Sequence, residues 1–265
     1  MRVFIVGLFL FTASHVLAQS DISGFNPNYL VFGNDSIETN EANCDIKFQL
    51  SFSRKLRAPT IIGEFITKFP LYFGYTQESY WDICGTSAPF RENNFRPTLF
   101  YPFGEKQNWS FGYVHESNGR DGDESRGWDR LVLKYSSSLG STPSNTVIKT
   151  INDTTWMLDG SLWLPFAISS ENENITDFAG FGELSLTYTP KEEWRYRVTL
   201  RKGGNLLDFD RGLVEIDIIT PLPWFEIQGF IQYTNGFGAS LDRFDQREQA
   251  LRAGFLFSDF NLPGG

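Results

Sequence analysis

His115, Ser117 and Asp129 are the parts of a base, a nucleophile and an orienting group, set close together in one stretch of chain. The chain has two histidines. His15 lies in an apolar leader, so an imidazole base in the mature protein is His115. Ser117 offers a hydroxyl to attack an ester carbonyl, with His115 taking its proton. Asp129 offers an acceptor for the other imidazole N–H, which would fix the tautomer and stabilise the imidazolium that forms. Between them runs Asn118-Gly119-Arg120-Asp121-Gly122-Asp123-Glu124-Ser125, a polar, acidic loop. A cation held there could stabilise a developing oxyanion, and oxygen-only ligands suit calcium better than zinc. The loop is not an EF-hand: counted from Asp121, the sixth position is Arg126 and the twelfth Val132.

The elements that would carry these residues are strands. Phe48, Leu50 and Phe52 alternate with polar residues, as do Trp109, Phe111 and Tyr113, then Trp194, Tyr196, Val198 and Leu200, and finally Leu251, Ala253, Phe255 and Phe257. Period-two alternation gives a strand one apolar and one polar face. It predicts twelve strands, near 28–33, 46–56, 69–82, 94–103, 107–117, 128–137, 155–164, 181–189, 194–203, 211–219, 224–234 and 247–258. Tight turns at 104–106, 190–193 and 220–223 contrast with longer polar loops near 83–93, 118–127, 165–180, 204–210 and 235–246. Short turns at one end and long loops at the other predict an all-β transmembrane antiparallel barrel. A soluble β-sandwich or barrel is the competing reading. Aromatic residues near strand ends and an even strand count favour the membrane barrel. The span from Ser136 to Thr155 is long for a periplasmic turn, and the chain ends Pro263-Gly264-Gly265 rather than on an aromatic. Strand parity puts His115 and Ser117 on the face of Trp109, Phe111 and Tyr113, and Asp129 on that of Leu131 and Leu133. If that face meets lipid, the chemistry sits on the outer wall, where polar residues are costly and so imply function.

The first residues read Met1-Arg2, an apolar run from Val3 to about Ala13, then Val16-Leu17-Ala18. That is the pattern of a secretory signal peptide over 1–18, leaving one barrel domain over 19–265. The run is too short to span a bilayer as a helix. Net charge is −9 and becomes −10 when Arg2 is removed, which argues against nucleic acid as a partner. Cys44 and Cys84 would share an oxidising compartment, where a disulfide can form.

Several blocks resemble the outer membrane phospholipase A family of Gram-negative bacteria. The family run Tyr-x-His-x-Ser-Asn-Gly-Arg is matched from Tyr113 to Arg120, and Ser-Arg-x-Trp-Asn-Arg-Leu by Ser125 to Leu131. Tyr75-Thr76-Gln77-Glu78-Ser79-Tyr80-Trp81, the stretch Ser87 to Pro97, and Lys47 to Ser51 also fit, with a weaker match from Gly236 to Leu241. The resemblance implies a twelve-stranded barrel that hydrolyses acyl esters of phospholipids (A1, A2 and lysophospholipase activity), needs calcium and is switched on by homodimerisation. It implies Ser117 as nucleophile and His115 as base. It implies calcium held by the carbonyl of Arg120 and the hydroxyl of Ser125, with the carbonyl of Ser87 supplied by the partner subunit. Gln77 would be a polar residue at the dimer interface.

One position departs from the pattern: the third member is Asn in the family and Asp129 here. A carboxylate can hold His115, but a charge facing lipid costs more than an amide, so Asp129 is expected to be paired with His115 or a cation. Two other readings stand beside this one: a catalytically silent porin or structural barrel, and an outer-membrane esterase acting on another acyl lipid, such as lipopolysaccharide.

Overall fold

Among the described residues, thirteen strands form one antiparallel sheet, and twelve of them close it into a barrel. A two-residue strand, β1 (Ile22–Ser23), pairs with Arg54 and Ser53 at the end of the second barrel strand. The barrel strands are β2 (Asn28–Asn34), β3 (Asp45–Lys55), β4 (Tyr72–Asp82), β5 (Phe90–Phe103), β6 (Trp109–Ser117) and β7 (Gly127–Leu139). They continue with β8 (Thr155–Ile168), β9 (Gly182–Thr189), β10 (Arg195–Lys202), β11 (Gly212–Pro221), β12 (Gln228–Gly236) and β13 (Glu248–Ser258). Each pairs with its sequence neighbours, and β13 returns to β2. The structure is a computed structural model that describes residues 22–34, 44–56, 70–139, 155–190, 194–204, 210–223 and 227–258. The expected leader over 1–18, most of the 136–155 connection and the chain end lie outside the described residues.

The pattern of burial decides between membrane and soluble barrels. In β10, Arg197 and Thr199 are buried while Tyr196, Val198 and Leu200 are exposed. Leu162 is 66% exposed, whereas Arg252 is 1% exposed. Apolar outside and polar inside is the arrangement for which lipid is the solvent. Buried charges pair in the interior: Arg252 donates to Asp45 at 3.0 and 2.8 Å and to Glu248 at 2.9 Å, and Lys47 lies 3.5 Å from Glu78.

Aromatic pairs mark one rim. Trp109 and Tyr135 have ring centroids 4.5 Å apart, as do Trp156 and Tyr188, and Tyr188 continues to Tyr196. All sit at the turn end, where an interfacial girdle belongs. At the opposite rim, two long loops fold inward. The β8–β9 loop, expected as a longer polar loop near 165–180, contains a 3₁₀ turn at Ser170–Asn172 and a short helix, α1 (Thr176–Ala179). Ile175 and Ala179 from this loop, with Leu241 and Phe244 from the β12–β13 loop, pack on Val114, Trp128, Val132 and Trp163. This plug and the ion pairs occupy the interior of the barrel among the described residues.

The boundaries differ from expectation in physically readable ways. β5 starts at Phe90 rather than 94 and β8 runs to Ile168 rather than 164. In both, the residues at the loop end rejoin the ladder across a bulge. Cys44 and Cys84 form a disulfide with Cα atoms 5.6 Å apart, within the normal range.

Candidate active site

The β6–β7 hairpin aligns the three expected residues. Its register pairs His115 with Asp129, Glu116 with Trp128, and Ser117 with Gly127. A slip of one residue in either strand would put Glu116 or Arg130 in lipid, so burial of these charges favours the observed register. On the outer face, His115 Nδ1 is 2.6 Å from Asp129 Oδ1, and His115 Nε2 is 3.1 Å from Ser117 Oγ. Both imidazole nitrogens are therefore engaged, one by the acid and one by the hydroxyl. Direct cross-strand neighbours and i, i+2 neighbours on one face are the closest side chains a sheet offers. The parity argument holds: His115 and Ser117 share the outward face of the exposed Trp109, Phe111 and Tyr113.

A bulge lies beside Asp129. β7 pairs Asp129 with Ala167 and Arg130 with Pro165, which leaves Phe166 as the extra residue. Bulges re-aim side chains next to sites, and a strand proline is tolerated at one. The Phe166 ring meets Tyr113 at 6.1 Å, and the Tyr113 hydroxyl donates to Asp129 Oδ1 at 3.0 Å. The sequence reading did not assign this bond, though parity already placed Tyr113 on the right face.

Behind the outer face, Glu116 takes an ion pair from Arg130, another from Arg96 Nε at 3.0 Å, and a hydrogen bond from Trp128 Nε1 at 3.1 Å. Charge-assisted bonds of this kind hold a carboxylate firmly. They tie β5, β6 and β7 together directly beneath His115 and Asp129.

The loop between the strands is shaped by Asn118, which is buried. Its Nδ2 donates to the Glu124 carbonyl at 2.9 Å. Its Oδ1 accepts from the N–H of Arg126 at 3.0 Å and of Arg120 at 3.3 Å. A 3₁₀ turn at Gly122–Glu124 then places Ser125, whose N–H bonds the Gly122 carbonyl at 3.0 Å. The Arg120 side chain is held by Glu124 of the same loop and by Glu92 and the Arg91 carbonyl of β5. Arg120 and Ser125 are thus in one pinned loop, with exposed Asp121 and Asp123 beside them. Backbone carbonyl, hydroxyl and carboxylate oxygens are the donor set that a hard cation such as calcium takes. By type, these residues supply such oxygens.

Ser87 is elsewhere, in the β4–β5 loop, and is exposed. Ser87 and Ala88 have φ of 67° and 44°, rare for residues with a side chain. The loop supports them with Ala88 N–H to Gly85 O at 2.9 Å, Gly85 N–H to Asp82 Oδ1 at 2.8 Å, and Trp81 Nε1 to Ala88 O at 2.8 Å. Backbone strain held this way is a pointer to function. Gln77 lies on the outer wall in a polar chain: Tyr75 Oη donates to Gln77 Oε1, Gln77 Nε2 to Ser79 Oγ, and Ser79 Oγ to Asn93 Oδ1.

The family model described as Phospholipase A1 matches residues 11–257. The phospholipase A1 of Proteus vulgaris is 30% identical over 232 residues, covering 83% of this chain and 72% of that protein. Among solved structures, an Escherichia coli outer membrane phospholipase A carrying an active-site Asn-to-Ala substitution superposes with a TM-score of 0.72 at 21% identity, over 93% of this chain and 95% of that one. A calcium-bound dimer of the Salmonella typhi outer membrane phospholipase has a TM-score of 0.69 at 23% identity, over 91% and 94%. The chain belongs to the outer membrane phospholipase A family: it is an ester-hydrolysing phospholipase of the bacterial outer membrane.

Proposed function

We propose that the chain hydrolyses phospholipid acyl esters through Ser117, His115 and Asp129, with calcium as cofactor and a homodimer as the active state. The observation that carries this reading is the unbroken line from Asp129 Oδ1 to His115 to Ser117 Oγ, at 2.6 and 3.1 Å, on a wall that faces lipid. Ser117 Oγ attacks the ester carbonyl carbon as His115 Nε2 takes its proton. The imidazolium is held by Asp129 and returns that proton to the leaving alcohol oxygen as the carbonyl–oxygen bond breaks. Water, deprotonated by His115, then releases the fatty acid from Ser117. Because the attacked carbonyl carbon carries only the acyl chain and the ester oxygen, the same steps serve sn-1 and sn-2 esters and lysophospholipids.

Calcium would be held by the Arg120 carbonyl and Ser125 Oγ, with the Ser87 carbonyl of a second copy. When bound, it supplies positive charge for the developing oxyanion. Dimerisation is supported by the exposure and strained backbone of Ser87 and by the lipid-facing polar chain through Gln77. A polar group on that wall gains from a partner that shields it from hydrocarbon.

The test is fatty-acid release from phosphatidylcholine by detergent-solubilised wild type and Ser117→Ala, with calcium or with a chelator. Wild type should be active with calcium only and Ser117→Ala inactive in both. Activity retained by Ser117→Ala would end the reading of the mechanism.

A further inference from the structure

Asp129 is the one irregular member of an otherwise matching motif, and its surroundings differ from those of a solvated carboxylate. It lies on the lipid-facing wall with its side chain 22% exposed. Two donors converge on the same oxygen, Oδ1: His115 Nδ1 at 2.6 Å and the Tyr113 hydroxyl at 3.0 Å. Tyr113 is two residues before His115 on the same face, and its cross-strand partner is Leu131, two residues after Asp129. Its ring is set against that of the bulged Phe166. The phenol is therefore aimed diagonally at Asp129 by strand parity, hairpin register and the bulge together.

A hydrogen bond from a neutral donor to a carboxylate is about twice as strong as one to an amide carbonyl. A carboxylate on a hydrocarbon-facing wall also needs such a donor more than an amide does, since an ionised group loses more on leaving water. We infer that Tyr113 is a positioning residue whose hydroxyl holds Asp129 in place and offsets its charge, and that this role is tied to the carboxylate. Tyr113 acts through Asp129 on the orientation of His115. With an amide at position 129, the phenol would be nearly dispensable. This inference rests on the reading of Ser117, His115 and Asp129 as the reacting set.

The experiment is a two-by-two cycle in the full-length, detergent-solubilised protein: wild type, Tyr113→Phe, Asp129→Asn, and both substitutions together. Two quantities are read: kcat and KM for phosphatidylcholine hydrolysis with calcium, and the second-order rate of Ser117 modification by a long-chain sulfonyl fluoride. Folding is checked by far-UV circular dichroism and by retention of the compact barrel band in unheated gel samples. Tyr113→Phe keeps the ring and its packing on Phe166, so only the hydroxyl is removed. Loss of a hydrogen bond to a charged group predicts a fall in kcat and in the modification rate of about tenfold in the Asp129 protein, with KM little changed. In the Asp129→Asn background the same change should cost no more than about twofold. Equal losses in the two backgrounds would make Tyr113 a packing residue and overturn the inference, as would no loss in either. A Ser117→Ala protein that still hydrolyses lipid would instead overturn the underlying reading, whatever the cycle shows.

Discussion

Glu116 and Arg130 form an ion pair inside the barrel on the same two strands whose outer faces carry His115 and Asp129. Each strand thus presents a charged anchor inward and a site residue outward, one position apart. Arg96 joins from β5 at 3.0 Å, so three strands are locked behind the outer-face residues. Removing Glu116 takes the carboxylate from the largely buried Arg130, beside an Arg96 that keeps Glu78 at 3.4 Å. Glu116→Ala is expected to destabilise the barrel by about 3–5 kcal/mol, the usual cost of stranding a buried charge. Urea unfolding, followed by the shift between compact and unfolded gel bands, measures this. Replacement of Glu116 and Arg130 together by apolar residues should cost less than Glu116→Ala alone.

For Asp129, the role of acceptor and the role of charge separate by substitution. Asp129→Asn keeps an oxygen within reach of His115 Nδ1 and should lower kcat by about tenfold or less. Asp129→Ala removes the acceptor and leaves the imidazole free to take the wrong tautomer. Its kcat should fall by about 10²–10⁴-fold, the range for a disabled base. Steady-state hydrolysis with both variants decides the matter: equal activity in wild type, Asn and Ala proteins would remove Asp129 from the reacting set.

Asn118 makes three hydrogen bonds across the loop that carries Arg120 and Ser125. Asn118→Ala would release the Glu124 carbonyl and two N–H groups at once, each bond contributing about 1 kcal/mol. The loop should then hold a cation less well, while the 2.6 and 3.1 Å contacts on the strands stay intact. The expected result is a calcium requirement for half-maximal hydrolysis raised by about tenfold or more, with kcat at saturating calcium changed far less. Calcium titration of activity reads both quantities. A fall in kcat with an unchanged calcium requirement would place Asn118 outside cation binding.

The twelve barrel strands and the shared face of His115, Ser117 and Asp129 were legible from alternation, because a wall between two solvents enforces period two residue by residue; that this face points outward is settled by the burial of the opposite, polar face. The long-range pairings inside the lumen were not. Nothing in the neighbourhood of Asp45 announces Arg252, which lies 207 residues away and reaches it because β13 returns to the start of the barrel. Nor did the polar loops around Ile175 and Phe244 announce a plug: isolated apolar residues in a loop carry no period, and only the closed mouth of the barrel gives them a common site. Tyr113 read as part of the aromatic ridge. Its hydroxyl acquired a partner only through hairpin register and the bulge at Phe166, neither of which periodicity sets.

The disulfide between Cys44 and Cys84 joins the β2–β3 loop to the loop that holds Ser87. The cysteines are 40 residues apart, and closing a loop of that size in the unfolded chain stabilises by about 4 kcal/mol at most. The native contribution should be smaller, because β3 and β4 remain paired through Asp45 and Asp82 whether or not the bond is present. A double Cys44→Ser, Cys84→Ser protein is therefore expected to fold and to unfold at somewhat lower urea. The larger effect should fall on the Ser87 loop, whose left-handed backbone at Ser87 and Ala88 depends on a well-anchored approach from Cys84. If that backbone completes a calcium site across two subunits, loss of the bond should weaken calcium-dependent dimerisation more than it weakens the barrel. Chemical crosslinking against calcium concentration, set beside the urea midpoint of the same protein, separates the two. A lowered midpoint with an unchanged calcium dependence of crosslinking would confine the disulfide to holding the fold.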